Sequence, residues 1–136
     1  MTVPIGFKKY IPVDGKYSDT IGPYYLKGSF PNIEFGVKIL EKHTNINNVA
    51  HGGFLMGFAD TVGGHVSYNM LKKKSVTATF NANFIRPVPH NSWVTSNGHI
   101  IKAGKRAVFI EIKVFVKKNI VFLANGLWQI INVDNK

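Results

Sequence analysis

The sequence predicts an α+β fold, with one antiparallel β-sheet wrapped around one long central α-helix. Three observations carry this. Between Gly53 and about Leu71, the apolar residues Leu55, Phe58, Val62 and Val66 recur at helical spacing and form one stripe. From Val76 to Phe84 the period changes to two: Val76, Ala78, Phe80, Ala82 and Phe84 alternate with Thr77, Thr79, Asn81 and Asn83. Beyond that point, Ala103-Gly104-Lys105 and Lys117-Lys118-Asn119 supply turn chemistry between further apolar runs. A single helix followed by consecutive strands packs most economically as one sheet over one helix.

Taken in order, the first 34 residues hold four of the six prolines and show weak periodicity. They read as a short helix or turn followed by irregular chain. A first strand is expected at about 34–43. Residues 44–52, rich in Asn and Gly, read as a loop. The helix follows, and Lys72-Lys73-Lys74 closes it where positive charge suits the helix dipole. Strands are expected at 76–84, 92–102, 106–117 and 120–132. With no repeat, linker or low-complexity tract, residues 1–136 read as a single domain.

Composition narrows the chemistry. Hydrophobic residues make up 45% of the 136, the balance of a chain that buries a core. The absence of cysteine removes disulfides, thiolate nucleophiles and Cys-based zinc sites. No apolar run reaches the roughly 18–20 residues that span a bilayer, and the N-terminus lacks the apolar core of a signal peptide. A cytoplasmic location is the expectation. The formal charge of +10 suits an anionic partner, although a Lys- and Asn-rich composition accounts for it equally well. The basic residues are scattered, and no aromatic-basic nucleic-acid motif accompanies them.

One acid stands out. Asp60 is the only carboxylate between Glu41 and Glu111, and it lies inside the helical stripe. At about 100° per residue, Met56, Gly63, Gly64 and Ser67 share its face, Gly57 lies near the edge, and Leu55, Phe58 and Val62 lie opposite. Glycine in a helix interior costs up to about 1 kcal/mol relative to alanine, so something approaches this face closely. Either tight packing or room for a ligand beside Asp60 satisfies that. Asp is also a poor residue for a helix interior, which weakens a purely structural account of it.

At the start of the helix stands His51-Gly52-Gly53. The first N–H groups of a helix have no intrahelical partner, and the dipole adds positive potential. With no side chain at Gly52 or Gly53, a substrate oxygen can approach those groups, which makes a carbonyl-polarising site. A tight loop before a helix is the competing account. Gly53 and Asp60 are seven residues apart, about 10 Å along the axis. That is too far for both to act on one carbonyl within a chain. If both do, one comes from a second copy, and the protein is a dimer with two equivalent sites at its interface.

With these residues in place, the chain resembles the hotdog-fold acyl-CoA thioesterases, in the phenylacetate-pathway-like branch that carries Asp on the central helix. The resemblance rests on His43-Thr44-Asn45, His51-Gly52-Gly53, Ala59-Asp60, Val76-Thr77 and Phe84-Ile85-Arg86-Pro87. Ile21-Gly22-Pro23-Tyr24-Tyr25 also matches, so about residues 20–131 are covered. It implies hydrolysis of acyl-CoA thioesters, with CoA as part of the substrate and no separate cofactor. It implies homodimers that pair into tetramers. Asp60 becomes general base or nucleophile, and the Gly53 N–H of the partner subunit polarises the carbonyl. His51 and Asn45 match positions that orient the loop and reach the thioester, and Thr77 one that holds the attacking water. Where many members have Gly, this chain has Asn48, the next best residue for a left-handed turn.

Around these, Gly52, Met56 and Gly64 are expected to line the substrate site, and Arg86, Lys105 and Arg106 to meet the phosphates of CoA. His65 sits about 140° from Asp60 on the helix and does not pair with it. His43, His90 and His99 lack metal-ligand spacing, and no metal is expected. Ser67 lacks the Gly-x-Ser-x-Gly context of a serine hydrolase. The rival readings are a non-catalytic acyl-CoA binding or sensing module, a nucleic-acid-binding domain that leaves Asp60 without a role, and a hotdog dehydratase, which needs a paired acid and histidine.

Overall fold

A computed structural model describes residues 2–10 and 16–131. Its elements, in chain order, are β1 (Lys8–Lys9), α1 (Tyr17–Ile21), β2 (Tyr24–Lys27), β3 (Glu34–Lys38), a 3-10 turn (Glu41–His43), α2 (Gly52–Leu71), β4 (Ser75–Phe84), β5 (Trp93–Ala103), β6 (Ala107–Val116) and β7 (Asn119–Ile130). The strands form one antiparallel sheet in the order β1-β2-β3-β5-β6-β7-β4. It curls around α2, whose Leu55, Phe58, Val62 and Val66 are all buried against it, as their spacing predicts. Among the described residues no helix is long and apolar enough to cross a membrane.

Alternation builds the sheet's inner face. Val108, Ile110, Ile112 and Val114 of β6 and Phe122, Ala124 and Trp128 of β7 are buried in the common core beneath the helix. The helix lies very close to this layer. A Cβ on the buried Gly63 would overlap the Trp128 indole, so only glycine lets the two elements meet at that point. Ser67, one turn on, is fully buried and its Oγ lies 2.8 Å from Ser75 Oγ on β4. Gly63 and Ser67 thus face the sheet instead of sharing an open face with Asp60. The buried arc of α2 is wider than its apolar stripe because β4 rises along that flank.

Three expectations need correction. The N-terminal region is not irregular between the short helix and residue 34: Tyr24–Lys27 pairs with β3, from Tyr24 opposite Val37 to Lys27 opposite Glu34. Its four residues are too few for alternation to reveal them, but they gain a ladder from the neighbouring strand. The first strand of the prediction stops at Lys38 instead of running to residue 43. The chain turns because His43 draws back on Leu40: the His43 N–H donates to the Leu40 carbonyl at 3.0 Å and His43 Nδ1 accepts the Leu40 N–H at 2.9 Å. The third correction is in β4. Its pairing with β7 slips between Thr77 and Thr79, leaving Ala78 as an extra residue. A bulge of this kind reverses the alternation. Ser75 and Thr77 therefore face the helix, as do Phe80 and Phe84 beyond the bulge, whereas Val76 is half-exposed. The expected end of the last strand at residue 132 lies outside the described residues.

The glycines of α2 divide by what stands over them. Gly63→Ala is expected to destabilise the protein by about 1–3 kcal/mol through overpacking against Trp128. Gly64, whose Cβ would find its nearest neighbour 3.9 Å away, gains helix propensity on the same change, up to about 1 kcal/mol. Urea unfolding midpoints of the two variants should therefore move in opposite directions.

Candidate active site

The site begins in the loop before α2. Asn45 organises it from both ends: its N–H reaches the Val49 carbonyl at 2.9 Å, and its Oδ1 accepts the Asn47 N–H at 2.9 Å. Asn48 sits at φ 63, the left-handed geometry that this Asn was expected to tolerate in place of glycine. The loop is then pinned on two sides, by Ala50 N–H to the Val88 carbonyl at 2.7 Å and His51 N–H to the His43 carbonyl at 2.8 Å.

His51 is the N-cap of α2. Its carbonyl accepts the Phe54 and Leu55 N–H groups, and its ring Nδ1 accepts the Gly53 N–H at 2.8 Å. The Gly53 N–H is therefore not bare in the single chain, contrary to what a helix start suggests. The sequence signal for this was present, since a side chain two residues ahead is where a cap stands. At Gly52 the absent side chain admits the Phe84 ring, which a Cβ would meet at 3.2 Å.

Asp60 is exposed two turns further on, with Met56 exposed one turn before it and Gly64 half-buried one turn after. The Thr77 hydroxyl donates to Asp60 Oδ1 at 2.5 Å. Only the bulge makes this contact, because without it Thr77 would point to the other face of β4. One carboxylate oxygen is held by the hydroxyl, and the bond fixes the side chain's direction. Gly57 is covered by the N-terminal segment: the Tyr17 hydroxyl lies where a Cβ would meet it at 2.6 Å.

The basic residues do not converge within one chain. Arg86 follows β4 and donates to the Ile120 carbonyl, beside Gly52 and Phe84. Lys105 and Arg106 lie in the β5–β6 turn, where the Arg106 carbonyl accepts from Ile130, the residue paired with Ser75. They stand with Lys72-Lys73-Lys74 at the other end of β4 from Arg86.

His43 is a residue whose place the spacing did not reveal. It is buried, its ring stacked on Phe54 of the first helical turn with centroids 4.1 Å apart. Nδ1 accepts from Leu40, so Nε2 carries the proton and donates to the Ile21 carbonyl at 2.5 Å. The neutral ring clamps the N-terminal segment to the loop that sets His51. His65 packs edge-on to Phe35 and Tyr10 on the other side of the helix, away from Asp60.

Sheet, helix and acid together define the hotdog fold, and the chain belongs to the thioesterase superfamily, whose family model matches residues 47–122. A Pseudomonas aeruginosa protein whose name places it among the esterases is 26% identical over 96% of this chain and 98% of its own length. An uncharacterized acyl-CoA thioester hydrolase of Haemophilus influenzae is 32% identical over 55% of this chain and 49% of its own length. Among solved structures, a mutant of the phenylacetic acid degradation protein PaaI of Thermus thermophilus superposes with a TM-score of 0.76 at 17% identity, covering 85% of this chain and 98% of that one.

Burial pushes the His43 ring below its ordinary range, and burial does the same to His65. The unfolded chain then binds more protons between the folded values and about pH 6.5, so stability rises with pH across that window. It is complete above about pH 6.5 and is lost as pH falls from there through the folded values. Urea midpoints should drop on going from pH about 7.5 to about 5.5, and His43→Gln should flatten that slope. An unchanged slope in the variant removes His43 from this account.

Proposed function

We propose that the protein hydrolyses acyl-CoA thioesters to free acid and CoA, at two equivalent sites built across a homodimer. The observation that carries this is where the two halves of the site meet β4. Asp60 is tied to Thr77 near one end of the strand, and Gly52 rests on Phe84 at the other. The outer edge of β4 has no neighbouring strand within the chain. Antiparallel pairing of two such edges about an axis between Phe80 and Asn81 sets Thr77 opposite the partner subunit's Phe84. Asp60 then faces the partner subunit's Gly53, which removes the separation of about 10 Å within one helix.

In that arrangement Asp60 acts as general base. It takes a proton from a water that Thr77 helps to hold, and the hydroxide adds to the thioester carbon. The oxyanion is received by the Gly53 N–H at the positive end of α2, in the place now taken by His51 Nδ1. The tetrahedral intermediate collapses, the C–S bond breaks, and the CoA thiolate leaves with the proton returned from Asp60. Asn45 holds the loop that sets this geometry, and Met56 and Gly64 border it. The same pairing brings the partner subunit's Arg86 to the end of β4 where Lys72-Lys73-Lys74, Lys105 and Arg106 stand. Cations separated in one chain then gather where a polyanionic CoA can be steered. Pairing of dimers into tetramers belongs to the same proposal.

Thiol release from an acyl-CoA panel tests it. Asp60→Ala should lower the rate by about 10²–10⁴-fold. Gly53→Pro, which deletes the N–H where a helix tolerates proline, should lower it by about 10²–10³-fold. Mixing and reassociating the two inactive variants should restore about a quarter of the wild-type rate, because half the dimers then hold one intact site. No recovery in confirmed mixed dimers would place both groups in one chain. Tight acyl-CoA binding with no thiol release by the wild type would mark a sensing module.

A further inference from the structure

Between the first turn of α2 and the chain leaving β4 lies a cleft of about 180 Å³. Leu55 and Val88, both buried, form its floor, and the half-exposed Phe84 and Ile85 form its walls. Gly52 opens onto it, and Arg86 stands among its lining residues. The cleft therefore adjoins the Gly52-Gly53 turn and is apolar on most sides. Its inner wall is set by a missing side chain, since a Cβ at Gly52 would meet the Phe84 ring at 3.2 Å.

We infer that this cleft receives the acyl group and limits it to the bulk of one six-membered ring or a chain of about six carbons, an inference that rests on the acyl-CoA hydrolysis proposed above. The size argument is direct. An apolar protein cavity of about 150 Å³ holds one benzene molecule, so about 180 Å³ leaves little beyond a ring and its connecting carbon. The placement argument is independent of size. A carbonyl held at Gly53 has two substituents. The sulfur side must lead away toward the gathered cations, and the acyl side is left with the apolar cleft. Each methylene buried there strengthens binding about fourfold, and those beyond the walls return to water and add nothing. Leu55, Phe84, Ile85 and Val88 are thus the specificity-determining residues.

Full-length protein carrying Asp60→Ala, which binds without turnover, gives the test by titration calorimetry with CoA and its acetyl, butanoyl, hexanoyl, benzoyl and dodecanoyl thioesters. Affinity should rise by about fourfold per methylene from acetyl to hexanoyl, with benzoyl comparable to hexanoyl, and gain nothing at dodecanoyl. Adding Ile85→Trp should weaken hexanoyl- and benzoyl-CoA about tenfold while leaving CoA and acetyl-CoA unchanged. Adding Phe84→Ala, a half-exposed position where folding is little threatened, should extend the rise to longer chains. A steady rise through dodecanoyl, or a break that neither variant moves in protein shown folded by circular dichroism, overturns the inference. Thiol release is read separately with Asp60 intact. Its absence, with the break in affinity present, overturns the hydrolysis and leaves the cleft standing.

Discussion

The packing of α2 into the curled sheet is the constraint on which everything else depends. The helix can come down on β7 only because Gly63 offers no side chain to Trp128. That approach buries Phe58, Val62 and Val66 on one flank and draws Ser67 onto Ser75 on the other. With the depth and rotation of the helix set, Asp60 has one direction left, outward past β4. Glycine's poor helix propensity, up to about 1 kcal/mol, is the smaller term beside the burial it permits.

The second decision is made by one extra residue. An unbroken β4 would place Thr77 with the polar residues facing away from the helix. The bulge at Ala78 turns it inward, and its hydroxyl then holds one oxygen of Asp60. The same shift exposes Val76 along a strand that has no neighbour on its outer side. One irregularity thus both orients the acid and shapes the edge at which a second chain is proposed to join. The other half of the site is held by different means. Asn45 shapes the loop, His43 clamps it through Phe54 and Ile21, and His51 caps the helix. Because His51 already accepts the Gly53 N–H, the turn is preorganised before a carbonyl arrives.

Much of the fold was legible in the residues because its signals are local. The period of α2 and the alternation in β4 to β7 follow from side-chain directions that repeat every 3.6 and every two residues. The left-handed turn at Asn48 and the solitary position of Asp60 are equally local. The brief strand β2 was not legible, since four residues show too little pattern and are stabilised by a neighbour. The end of β3 was not legible either, because a histidine ring five residues beyond Lys38 turns the chain.

The sequence by itself therefore determined the class of fold, the helix with its lone acid and the glycine turn ahead of it, and the distance that keeps the two apart along one helix. Only the tertiary structure decided which glycines pack and which stay open, that Thr77 faces Asp60, that the Gly53 N–H is capped by His51, and that Arg86 stands apart from Lys105 and Arg106. Those facts depend on contacts between segments far apart in the chain. Steric fit and a one-residue slip in register settle them, and neither leaves a repeating pattern in the order of residues.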